Sequence, residues 1–240
     1  DENVFDIMQG VSLNIFIKTG KKIDDKFAIV YQQDNFGLRE EKYNFLLKND
    51  LSKIQWNFIN YKEPNYFFVP KDFTQAKTYE EGFSISQLFL IIGSGVKNER
   101  DDVCKQFSLK EMINVINDFK QLAENEIKNK YTLKDTRDWK VNNAKNDVCD
   151  NFNSEFYIPT LYRPFDKRYT YYSGTSRGFI GTPGTKRMFH LINKDNLSLL
   201  TCRQQSTFDF QHVFISKEIS DICSLSSQTK ETGYVCPLYL

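Results

Sequence analysis

Residues 162–183 read YRPFDKRYTYYSGTSRGFIGTP. Arg163, Lys167, Arg168 and Arg177 stand there among Tyr162, Phe165, Tyr169, Tyr171, Tyr172 and Phe179. The stretch is too charged for a core strand and too aromatic for a solvated tail. Arginine presents a rigid fork that grips two phosphate oxygens, or O6 and N7 of guanine. Tyrosine offers a flat face to a base or sugar and a hydroxyl to a phosphate. At a period of two, Arg168, Thr170 and Tyr172 point one way and Tyr169, Tyr171 and Ser173 the other. One face can then pack while the other meets a ligand. The following loop, SGTSRGFIGTPGTKR, adds amides, hydroxyls, Arg177, Lys186 and Arg187, which suit close approach to phosphates.

A second stretch, TCRQQSTFDFQH at 201–212, carries Arg203, Gln204, Gln205 and Gln211. Glutamine pairs with the edge of adenine and arginine with that of guanine. The expected contacts sort by residue type. Arg163, Arg168, Arg177, Lys186 and Arg187 would anchor phosphates or read guanine. Arg203, Gln204, Gln205 and Gln211 would face base edges. Tyr169, Tyr171 and Tyr172 would lie against the sugar–phosphate backbone or brace the arginines. Tyrosine and arginine also dominate protein interfaces, so the same residues fit a docking module.

Other chemistry finds little support. His190 and His212 stand in no metal-ligand spacing such as HExxH. Gly93-Ser94-Gly95 lacks the Gly-Lys-Ser/Thr ending of a phosphate loop. Glu126 and Lys128 are spaced like the end of a nuclease metal motif but fall in a helical pattern. Cys104, Cys149, Cys202, Cys223 and Cys236 are odd in number and form no CxxC pair, which points to free thiols in a reducing cytoplasm rather than disulfides or zinc.

The elements that must position these residues fall into three parts. Val11, Leu13, Ile15 and Ile17 alternate as a strand, TGKKIDD supplies turn chemistry, and KFAIVYQ reads as a second strand that is apolar on both faces. A hairpin of that kind needs a larger sheet to cover it. Residues 37–56 carry a helical pattern, NYFFVPKDF reads as a short strand, and Ser84 or Ser86 can cap a short helix closed by Gly93 and Gly95. The spacing predicts one long helix over 109–129, opened by the capping box of Ser108 and Glu111. Residues 134–150 read as a connection or short helix. Beyond residue 151, FYIPTLY, RYTYYS, RGFIG, LSLLTCRQQ, HVFISKEI and YVCPLYL read as short strands.

The fold class expected is therefore α+β: a hairpin over 1–35, a mainly helical part over 36–150, and a β-rich module over 151–240. The 240 residues are 40% hydrophobic and 26% charged, as in a globular protein with a buried core. The net charge of +1 gives no global field, so binding to a polyanion must come from a local patch. Residues 151–240 do lean basic, with ten basic against seven acidic side chains. No apolar run has the length of a membrane helix. A chain without an initiator methionine that stops on an apolar run is expected to be a piece of a longer polypeptide.

Seven stretches, in order, resemble the C-terminal part of type I single-polypeptide (type ISP) restriction–modification enzymes: DENVFDIMQGVSLNIFIKTG, YFFVPKDF, YRPFDKRYTYY, GFI with a following proline, RQQ, HVFIS and PLYL. Related adenine-specific DNA methyltransferases with an Asn-Pro-Pro-Tyr motif look similar. The resemblance implies a parent chain with helicase or nuclease parts, then a methyltransferase that binds S-adenosylmethionine, then a target recognition domain for double-stranded DNA. Residues 1–35 would close the methyltransferase sheet, and the remainder would be the recognition region. Asn-Pro-Pro-Tyr and a glycine-rich cofactor loop are absent from these residues. The resemblance therefore carries over no catalytic residue and no cofactor, and the fragment is not expected to methylate alone.

Overall fold

Val11, Leu13, Ile15 and Ile17 alternate as a strand should, yet no ladder forms on them. The computed structural model describes residues 1–20, 26–204, 206, 211–226 and 228–240. Among these, no backbone edge pairs with 11–17, and Leu13, Phe16 and Ile17 are exposed. Alternation alone cannot make a strand, because each N–H and C=O needs a partner on a neighbouring edge. Most of the expected TGKKIDD turn lies outside the described residues.

The chain divides into two units, Asp1–Gly82 and Phe83–Leu240. The first holds β1 (Tyr31–Gln32), α1 (Arg39–Lys48), β2 (Asn57–Phe58) and α2 (Ala76–Glu80), with β1 and β2 antiparallel. Lys42 ties α1 to the N-terminal residues through the Asp1 carboxylate at 2.8 Å and the Glu2 carbonyl at 2.6 Å. The strand expected at 65–73 does not form.

The second unit begins with α3 (Ile85–Leu88), capped by Ser84 as its sequence predicts, followed by β3 (Gly93–Ser94) and α4 (Asp101–Cys104). Gly93 is thus a strand residue rather than a helix stop. Gly95 lies so close to the Asp221 backbone that a Cβ would stand 2.6 Å from its carbonyl oxygen, so only glycine fits there. The predicted long helix is two: α5 (Leu109–Gln121) and α6 (Glu124–Lys130). Ser108 and Glu111 cap α5 as expected, at 3.2 and 2.9 Å. The break has two causes. Lys145 donates to the Phe119 and Leu122 carbonyls at 2.8 and 2.9 Å, satisfying groups that a continuing helix would have used. Glu126 accepts the Ala123 N–H at 2.7 Å and opens a new helix start.

Lys145 belongs to α7 (Val141–Asp150), after which a 3-10 turn (Ser154–Phe156) leads into β4 (Tyr157–Arg163) and β5 (Asp166–Tyr171). The remaining elements are α8 (Thr185–Met188), β6 (Ser198–Cys202), β7 (Val213–Ser216), β8 (Ile219–Ser220) and β9 (Gly233–Pro237). They form a four-stranded antiparallel sheet in the order β3-β9-β6-β7 and a three-stranded sheet in the order β5-β4-β8, where β8 runs parallel to β4. RGFIG, expected as a strand, is instead a turn whose Phe179 and Ile180 are buried. The core gathers Met112, Ile116 and Phe119 of α5, Ile127 of α6, Trp139, Tyr171 and Phe179. Helices and strands therefore share one interior in this unit, an α+β arrangement.

Candidate nucleic-acid interface

The β4–β5 hairpin places the Tyr/Arg stretch, and most of it faces inward. Tyr171 is wholly buried, with its ring 5.3 Å from that of Tyr157 and 5.9 Å from that of Phe179. Tyr172 is buried too, and its hydroxyl donates to the Pro183 carbonyl at 2.9 Å. Burial pushes both phenols above their ordinary pKa. The expectation that Tyr171 and Tyr172 lie against the sugar–phosphate backbone does not fit their burial: both are core residues, and the rings of Phe156, Tyr157 and Phe179 surround Tyr171. Tyr169 is half-buried and exchanges backbone hydrogen bonds with Gln106 at 2.8 and 2.9 Å.

Three of the predicted anchors are occupied within the protein. Arg163 sits over the Tyr162 ring at 3.9 Å and pairs with Asp221 at 2.9 Å. Arg168 stacks on Tyr162 and Phe107 at 4.1 and 4.2 Å and pairs with Asp166 at 2.9 Å. Arg187 is half-buried, donating to the Ser94 hydroxyl at 3.0 Å and to the Ser94 carbonyl. Burial lowers its pKa. These three guanidinium groups fasten β4, β5 and α8 to distant parts of the unit.

The other predicted residues face solvent. Arg177 and Lys186 are exposed, and no ion pair to a described residue holds either. Arg177 has φ +57°, the left-handed region that favours glycine, and its N–H donates to the Gly181 carbonyl at 2.8 Å. A large charged side chain at such a position carries a backbone cost that its display can justify. The turn is pinned from below. The Phe179 N–H donates to Asp147 at 2.9 Å, while the Trp139 indole and Cys104 thiol reach the Phe179 carbonyl at 3.0 and 3.1 Å.

Arg203, Gln204 and Gln211 are exposed at one end of the four-stranded sheet. The register explains their proximity: Thr201 of β6 faces Val213 of β7 and Tyr234 of β9. Arg203 and Gln204 follow β6, and Gln211 precedes β7, so the ladder delivers all three to the same rim. Arg203 lies over the Tyr234 ring at 4.8 Å. Tyr234 also faces Ser94 of β3, the residue that Arg187 grips. Lys186 precedes Arg187 in α8. Gln205 lies outside the described residues.

Two residues at this rim escaped the sequence reading, Glu231 and Tyr234. With Arg203, Gln204 and Thr232 they line a shallow cleft. Glu231 accepts from the Ser206 N–H at 3.1 Å and from the hydroxyls of Ser226 and Thr229. Those hydrogen bonds hold its carboxyl well below the usual range. TKETGY contains only one of the donors, Thr229; Ser206 and Ser226 come from outside it. A second cleft, between the β4–β5 turn and β7, is lined by Leu161, Pro164, Phe165, Phe214 and Ile215 among others. Neither cleft holds a histidine, and among the described residues no cluster of His, Cys, Asp and Glu could hold a metal ion. No helix of the described residues is long and apolar enough to cross a membrane.

The family model described as the Type ISP C-terminal specificity domain matches residues 87–240. The chain belongs to this family. Its fold is similar to that of a nuclease-deletion mutant of the Type ISP restriction-modification enzyme LlaGI in complex with a DNA substrate mimic, with a TM-score of 0.52 and 19% identity. That match covers 90% of this chain and 22% of the LlaGI chain. The DrdV–DNA complex matches with a TM-score of 0.48 and 16% identity, over 84% of this chain and 21% of that one. The ATP-dependent Type ISP enzyme LlaBIII bound to DNA matches with a TM-score of 0.45 and 18% identity, over 62% and 10%. This specificity-domain chain thus spans about a fifth of the length of the first two. No curated protein matches it.

Proposed function

We propose that this specificity-domain chain recognises a sequence of double-stranded DNA for a cytoplasmic restriction–modification enzyme that methylates adenine with S-adenosylmethionine. The observation that carries the reading is the sheet rim of the family-matched residues. There Arg203, Gln204 and Gln211 converge, and Arg177 and Lys186 are exposed in the same unit. Arg177 and Lys186 act as phosphate anchors. Arg203, Gln204, Gln205 and Gln211 reach base edges. Arg163, Arg168, Arg187 and Tyr169 hold the hairpin and α8 in place behind them. The relatives solved with DNA support this assignment. Methyl transfer and its cofactor belong to the parent chain, whose methyltransferase and helicase or nuclease parts are the intramolecular partners. In that parent, residues 1–35 close the methyltransferase sheet, 36–150 form the mixed, mainly helical part of the recognition region and 151–240 its β-rich, DNA-facing module. The uncovered Leu13, Phe16 and Ile17 fit a sheet completed by other strands.

The test is a salt titration of duplex binding by the 240-residue chain. Each phosphate contact contributes about 0.9 to the slope of log K against log salt. Arg177→Ala and Lys186→Ala are each expected to flatten the slope by about that amount while leaving base preference intact. Absence of any duplex binding at low salt would reject the reading. A docking role is favoured by a different observation: Phe165 is 94% exposed and shares a cleft with Phe214 and Ile215 of β7, a strand at the edge of its sheet. That face suits contact with another part of the parent chain.

A further inference from the structure

The cleft at the sheet rim holds a cation and an anion that do not neutralise each other. Arg203 and Glu231 both line it, and no ion pair joins them. Arg203 is exposed, with its guanidinium 4.8 Å from the centroid of the Tyr234 ring. Glu231 is fixed by three donors. Ser226 and Thr229 fill Oε2, and the Ser206 N–H occupies one of two acceptor sites on Oε1. The carboxylate so held stands on the cleft wall with Arg203. An ionised carboxylate repels phosphate, so this cleft selects against the DNA backbone. It offers instead a two-pronged donor beside a carboxylate acceptor.

In the major groove, guanine presents the O6 and N7 acceptors and its paired cytosine presents the N4 amino donor. We infer that Arg203 and Glu231 together read one G·C base pair, with Arg203 on guanine O6 and N7, Glu231 on cytosine N4, and Tyr234 positioning the guanidinium. The inference rests on the proposed DNA reading and adds to it a named base pair and an acidic reader. The hydrogen bonds to Glu231 hold its carboxyl below the usual range, which favours the ionised acceptor form.

The experiment is selection of duplexes from a randomised pool by the unsubstituted chain, then by Arg203→Ala and Glu231→Gln. The unsubstituted chain is expected to enrich a motif containing an invariant G·C pair. Arg203→Ala is expected to lose preference at that one pair, keeping the others, with discrimination falling roughly 5- to 150-fold there. Glu231→Gln is expected to relax the same pair. Should Glu231→Gln fail to fold, as judged by circular dichroism, Arg203→Ala decides alone. If Arg203→Ala binds more weakly yet enriches an unchanged motif, Arg203 is a phosphate contact and the inference fails, while DNA recognition stands. If the unsubstituted chain binds duplex but enriches no motif, sequence recognition and this inference fail together.

Discussion

Replacing Asp221 by alanine is expected to lower the unfolding free energy by about 3–5 kcal/mol, the usual cost of removing one partner from a buried charge network. Asp221 is 4% exposed. It accepts from Arg163 at 2.9 Å, from Asn98 at 2.9 Å and from the Cys223 N–H at 2.9 Å. Lys105, 2% exposed, donates to Thr160 at 3.0 Å and is drawn up in pKa by Asp221 and Asp101 against the stronger effect of burial. Burial likewise pushes Asp221 above the ordinary carboxylate range. Each charge is thus uncomfortable alone and tolerable beside the other. Alanine would leave the Lys105 ammonium without a buried counter-charge and strip the acceptor from the Cys223 N–H. Asparagine, which keeps an oxygen at the position, is expected to cost less. Urea unfolding of the three proteins measures this; a cost for alanine below about 1 kcal/mol would show that the network contributes little.

The second large effect is expected at Trp139. Its side chain is wholly buried, and Trp139→Ala should cost about 3–5 kcal/mol through lost burial and the cavity left behind. The indole N–H also holds the Phe179 carbonyl at 3.0 Å, directly beneath the turn that displays Arg177. Trp139→Phe keeps most of the bulk and loses that bond, so its expected cost is about 1 kcal/mol. The two variants separate packing from positioning. Trp139→Phe should stay folded but bind duplex with the flatter salt slope of Arg177→Ala. An unchanged slope would mean that the Phe179 carbonyl needs only the Cys104 thiol to set the turn.

Both effects act on the interface from a distance. The Asp221 network joins β4 and β8 to the residues after β3, and Trp139 supports a loop rather than touching solvent. The proposed DNA-facing surface is a set of short loops, so its shape depends on buried groups beneath it.

Much of the secondary structure was legible locally. The alternating residues of FYIPTLY, RYTYYS, LSLLTC, HVFIS and YVCP became β4, β5, β6, β7 and β9, because side-chain period in a strand is a property of neighbours in the chain. The Ser108–Glu111 box marked a helix start for the same reason. The end of that helix was not legible, since Lys145 reaches its carbonyls from 23 or more residues away. The strand expected at Val11–Ile17 shows the converse: pattern is local, pairing is not.

The amino-acid sequence by itself determined the α+β class, the family likeness and the residue types able to grip DNA. Only the tertiary structure decided which of those residues are free to do so. Period two says that Tyr169 and Tyr171 share a face, but not that the rings of Phe156, Tyr157 and Phe179 surround Tyr171. Composition supplies Arg163 and Arg187 but not their partners, Asp221 and Ser94, which lie 58 and 93 residues away. The physical reason is that a charge or an aromatic ring takes its role from what folding places beside it. Chain neighbours fix backbone form, while long-range contacts fix exposure and charge balance.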